Sequence, residues 1–75
     1  MTNEARLNAI IEAFQQNRIL YVQTAYRTWK ITAKTFAAFE RTQTPLFKLS
    51  GASLYMRLGK RYDCIDYCRL TVAAR

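Results

Sequence analysis

Between Pro45 and Gly59 the chain carries a pattern that few local structures satisfy. Phe47 and Leu49 alternate with Lys48 and Ser50, and Leu54, Met56 and Leu58 alternate on the far side of Gly51-Ala52. Such alternation marks a strand with one buried face, because successive side chains point to opposite sides. Gly51 can supply the positive φ of a two-residue type II′ turn. A two-residue loop then sets the register: Leu49 faces Leu54, Phe47 faces Met56 and Lys48 faces Tyr55. The aliphatic residues and Phe47 share one face, and Lys48, Tyr55 and Arg57 occupy the other. A rival helix from Ser53 through Val72 places Gly59 in its interior, at a cost of about 1 kcal/mol relative to Ala. The hairpin is the preferred reading.

Upstream, Asn3 is placed to cap a first helix, with Glu4 favourably set against the helix dipole. Leu7, Ile10, Ile11 and Phe14 recur at helical spacing, and this helix is expected to end near Asn17. Ile19 to Val22 suits a short strand or the lead into a helix. From Gln23 the spacing of Val22, Ala25, Tyr26 and Trp29 predicts a second helix, with Lys30 and Ile31 as a turn. Thr32 then caps a third helix from Ala33 to about Thr42, anchored by Phe36 and Phe39, with Lys34, Thr35, Ala38 and Arg41 facing outward. Two short helices joined by a tight turn make a helix-turn-helix. After the hairpin, Asp63 can cap a last helix in which Ile65, Cys68, Arg69 and Val72 face inward. The expected fold is mainly α with a small β-hairpin: a winged helix-turn-helix forming a single domain over residues 1–75.

The distribution of charge points to a partner. The chain has a net charge of +7. Arg27, Lys30, Lys34, Arg41, Lys48, Arg57, Lys60 and Arg61 fall in one central block whose only acid is Glu40. Elsewhere Arg6, Arg18, Arg69 and Arg75 balance Glu4, Glu12, Asp63 and Asp66, so the whole excess belongs to the middle of the chain. A concentrated positive surface suits a polyanion, because each phosphate contact releases condensed counterions. The plainer reading is a solvated face kept soluble by charge.

The stretch Trp29-Lys30-Ile31-Thr32-Ala33-Lys34-Thr35-Phe36 resembles the turn of the excisionase and MerR-type winged helix-turn-helix superfamily. Pro45-Leu46-Phe47-Lys48-Leu49-Ser50-Gly51 is similar to the wing that follows it there, and Arg61-Tyr62, Asp66 and Arg69-Leu70 resemble the start of the next helix. The likeness spans about residues 22–72. Lys30 and Gln43 stand where that superfamily places Gly, and Ala37 and Ala38 make the outward helix surface less basic. The resemblance implies sequence-preferring binding of double-stranded DNA by a small regulator or excisionase-type factor of a mobile element. Thr32, Lys34, Thr35 and Arg41 would then meet the major groove, and Lys48, Arg57, Lys60 and Arg61 on the wing would grip phosphates. One such domain offers little surface, so a homodimer or side-by-side binding on repeated sites is expected.

Two other functions compete. Tyr21, Tyr26, Trp29, Tyr55, Tyr62 and Tyr67 interleave with basic residues, as in proteins that stack on single-stranded nucleic acid. Against this, Tyr26 and Trp29 fall on the core side of the expected second helix. A small basic module docking on a larger protein assembly would use the same patch. Enzyme activity is not expected: the chain has no His, and Gly51 and Gly59 are too far apart to cradle a phosphate. Cys64 and Cys68, four apart on the expected helix, read as buried small apolar residues, a disulfide or shared metal site being the lesser alternative. No cofactor, metal or small-molecule substrate is implied. Met1 to Arg6 lacks a basic region followed by an apolar stretch, and no run reaches the roughly 20 apolar residues of a membrane span, so a cytoplasmic location without membrane contact is expected.

Overall fold

The computed structural model describes residues 2–74. The elements follow one another as α1 (Asn3–Gln15), β1 (Ile19–Gln23), β2 (Thr28–Ile31), α2 (Ala33–Glu40), β3 (Phe47–Ser50), β4 (Ser53–Leu58), β5 (Arg61–Cys64) and β6 (Arg69–Ala73). Helices account for 29% of these residues and strands for 38%. The mainly α winged helix-turn-helix is therefore not formed. The fold is α+β, with two three-stranded antiparallel sheets ordered β2-β1-β6 and β3-β4-β5.

Three expectations hold. The β3–β4 hairpin has the expected register, with Phe47 opposite Met56, Lys48 opposite Tyr55 and Leu49 opposite Leu54. Gly51 sits at φ +62°, in the region that glycine enters without steric cost. α2 starts at its Thr32 cap, whose hydroxyl accepts from Thr35 N at 3.3 Å, and Phe36 packs inward with its ring centroid 5.0 Å from that of Phe14. α1 forms too, although Thr2 rather than Asn3 is its cap, accepting from Ala5 N at 3.1 Å. Its end is a Schellman closure: Arg18 N donates to Ala13 O and Asn17 N to Phe14 O, both at 2.9 Å, with Asn17 left-handed at φ +59°.

Two expected helices are strands instead. Val22 to Trp29 crosses the end of β1, a turn and the start of β2, with Val22 opposite Trp29. The turn contains neither Gly nor Pro. It is held by the Thr24 hydroxyl, which donates to Arg27 O at 2.9 Å and accepts from Arg27 N at 3.2 Å. Lys30 and Ile31, read as a turn, lie within β2. The expected C-terminal helix from Asp63 is replaced by β5, a turn over residues 65–68, and β6. Cys64 and Cys68 consequently do not share a buried helix face; Cys64 is exposed and Cys68 half-buried. The rival helix from Ser53 fails as well, since Gly59 adopts φ +74° between β4 and β5.

One core cluster joins the elements. Leu20, Val22 and Ile31 come from the first sheet, Phe47, Leu54 and Met56 from the second, Ile10 and Phe14 from α1, and Ile65 from the turn between sheets. Leu54 and Met56 are fully shielded from solvent on the central strand of the second sheet. Removing such a side chain costs about 2–5 kcal/mol, a large part of the stability of a domain this small. Met56→Ala is accordingly expected to lower the urea midpoint sharply, whereas Leu49→Ala, at the solvated end of the same face, shifts it little; equal shifts would contradict this placement of the core.

Asp66 ties the two sheets to α1. Its carboxylate Oδ1 accepts from Leu54 N and from Asn3 Nδ2, both at 2.8 Å. Arg6 donates to the Asp66 carbonyl at 3.2 Å and to Asn3 Oδ1 at 2.8 Å. The hydrogen bond from the Leu54 amide holds the Asp66 carboxyl below its ordinary value of 3.8; desolvation opposes this, and Ser53, Cys64 and Asn3 add to the lowering. A depressed folded value means that the stabilisation is full above the ordinary carboxylate value and is lost as pH falls through the folded one. Asp66→Ala should therefore melt below the wild type at neutral pH, with the gap narrowing under strongly acid conditions; a gap independent of pH would contradict the role of the ionised carboxylate.

Candidate nucleic-acid interface

The second sheet has two unlike faces. With Phe47, Leu54 and Met56 turned into the core, alternation puts Lys48, Tyr55, Arg57 and Tyr62 on the outside. Tyr62 organises this outer face. It stands opposite Arg57 in the ladder, and its hydroxyl donates to the Pro45 carbonyl, which precedes β3. The phenol thus lies across the sheet from β5 toward β3. The Lys48 ammonium sits 4.2 Å from the ring centroid and the Arg57 guanidinium 5.9 Å from it. An aromatic face attracts cations through its quadrupole, by about 0.5–1 kcal/mol at exposed sites. Two like charges are thereby held together on one ring.

The other expected contact residues are distributed around this pair. Lys60 lies exposed in the turn after β4. Arg61 opens β5 and pairs with Asp63 at 3.7 Å. Lys34 in the first turn of α2 and Arg41 at its C-cap are both exposed and stand seven positions apart, about 10 Å from each other along the helix axis. The hydroxyls of Thr32 and Thr35 lie 3.2 Å from each other at the helix start and serve the cap. The structure thus gathers Lys48 with Arg57, sets Lys60 in the turn that follows β4, turns Arg61 to the opposite face of the sheet beside Leu58, and leaves Lys34 and Arg41 on a separate element.

Two of the aromatics that the sequence offered for stacking, Tyr26 and Trp29, are brought together with Arg27. Arg27, Trp29 and Tyr26 converge on a cleft of about 340 Å³ between the β1–β2 turn and β4–β5. The Arg27 guanidinium lies 4.0 Å from the Trp29 ring centroid. Tyr26 is 96% exposed and Tyr67 100% exposed, each in a turn at the same end of the first sheet. Tyr26 is thus not a core residue. The alternation of Leu20 with Val22 and of Trp29 with Ile31, around a Thr24 turn, was the available signal.

Among the described residues, no group of three or more His, Cys, Asp or Glu side chains is placed to hold a metal ion, and no helix is long and apolar enough to cross a membrane. No protein family, curated protein or solved structure matches this chain.

Both thiols are free and border the cleft. Burial pushes the Cys68 thiol above its ordinary value of 9.0, with the neighbouring Cys64 adding to the rise. Since the thiolate is the nucleophile, exposed Cys64 is expected to react with iodoacetamide before Cys68 at neutral pH. Peptide mapping after partial alkylation checks this; preferential labelling of Cys68 would contradict it.

Proposed function

We propose that this chain is a non-catalytic DNA-binding protein that takes phosphates on the outer face of the β3–β4–β5 sheet. The observation that carries this reading is the pairing of Lys48 and Arg57 over Tyr62 with no carboxylate of the described residues in an ion pair with either. Among the described residues, the ion pair within 4 Å is Arg61–Asp63. Cations left without an internal counter-ion draw anions from solution, and a duplex strand presents them in a row that advances about 3.4 Å per phosphate along the helix axis. Lys60, in the turn after β4, extends the positive edge, and Lys34 on α2 with Arg41 at its C-cap supplies a second strip; Arg61, opposite Leu58 and paired with Asp63, belongs to the other face of the sheet. The backbone extends at most 29 Å between Cα atoms, about eight base-pair steps along a duplex axis, so one copy covers a short site. A longer site is covered by copies bound side by side. Phosphates are common to duplex and single strand, so this face sets affinity more than the choice of strand.

The test is the salt dependence of binding to a 20-base-pair duplex of mixed sequence. Each phosphate contact contributes about 0.9 to the slope of log affinity against log salt. Lys48→Ala and Arg57→Ala should each weaken binding to all sequences alike and flatten the slope by about one unit. Unchanged affinity and slope in both variants would falsify the assignment of this face.

A further inference from the structure

Resting on the nucleic-acid reading, and naming the form of ligand it favours, we propose that the cleft between the β1–β2 turn and β4–β5 receives one unpaired nucleobase stacked on Arg27. Its volume of about 340 Å³ lies at the small end of ligand pockets, which run from about 300 to 1,000 Å³. That is room for one base and its sugar. Trp29 and Leu58, both half-buried against the core, form its apolar floor. The planar Arg27 guanidinium rests on Trp29 and has a second face, the kind of surface on which bases stack. Beside it Tyr26, almost wholly exposed, offers another ring.

The opposite wall supplies polar recognition. Arg61 and Asp63 line the cleft as an exposed ion pair, with side chains 85% and 42% exposed. The Asp63 carboxylate accepts hydrogen bonds only, so it suits the amino or ring N–H groups on a base edge. Arg61 suits the attached phosphate. In a duplex the faces of a base are stacked and its edge is paired. Entry to this cleft therefore requires a base that is already unpaired, and the cleft selects single-stranded nucleic acid where the outer face of the second sheet does not.

Trp29 is the only tryptophan, so its emission reports on the cleft directly. The whole chain is titrated with a twelve-nucleotide single strand of mixed sequence, an abasic strand of equal length, the matching duplex, and AMP. The intact single strand is expected to quench Trp29 and to bind about tenfold more tightly than the abasic strand. AMP separates a free nucleotide from a base carried on a strand, and quenching by either supports the assignment. Arg27→Lys keeps the charge and loses the plane, and Tyr26→Ala alters an exposed turn. Both should bring intact and abasic strands to nearly equal affinity while binding of the abasic strand persists. Equal binding of intact and abasic strands by the wild type, with Trp29 emission unchanged, overturns the cleft and leaves phosphate binding standing. Binding of the duplex alone also overturns it. Failure of every strand to bind at low salt removes both readings.

Discussion

The fold depends on one short turn. At residues 65–68 the chain leaves the second sheet and enters the first, and every pairing of β6 with β1 requires that turn to be aimed correctly. Cys68 N closes it on Ile65 O at 3.1 Å, while Ile65 itself is fully buried. The Asp66 carboxylate holds it to the backbone of β4 and to Asn3, and Arg6 covers the outward carbonyls of Asp66 and Cys68. A charged acceptor hydrogen-bonded to an amide is stronger than a neutral one, so a single aspartate can orient three elements at once. Once β6 lies beside β1, the two sheets and α1 enclose one core.

The candidate binding surfaces are consequences of the same construction. A strand that buries Leu54 and Met56 must present Tyr55 and Arg57 on its other side. The neighbouring strands add Lys48 and Tyr62, and the Tyr62 ring converts a row of separate side chains into a paired cationic site. The cleft has a different origin. It lies beside the β1–β2 turn, where the half-buried Trp29 and Leu58 border the core and polar side chains form the walls.

Local signals were legible where structure is local. The β3–β4 hairpin is encoded by alternation around Gly51-Ala52, and its register follows from the loop length. α2 is encoded by Thr32 and by Phe36 and Phe39. Lys48 and Arg57 could therefore be placed together from the sequence. Arg27, Trp29 and Tyr26 could not. Val22, Ala25, Tyr26 and Trp29 fit a helical period as well as two strands joined by a turn, and the turn lacks the Gly, Pro or Asn that usually announces one. The segment after Gly59 misled in the same way, since Ile65, Cys68, Arg69 and Val72 also fit a helical face.

Composition and order along the chain account for a positively charged small protein, for its central hairpin and for the second helix with its cap. Each rests on residues within a few positions of one another. The division into two sheets, the α+β class and the convergence of Arg27 and Trp29 with Arg61 and Asp63 came from contacts between distant segments. β6 pairs with β1 across about fifty residues, and Asp66 meets Asn3 at a separation of 63. A short segment with an ambiguous period takes the conformation that its remote partner stabilises, because burial and ladder hydrogen bonds outweigh the small intrinsic preferences of its own residues.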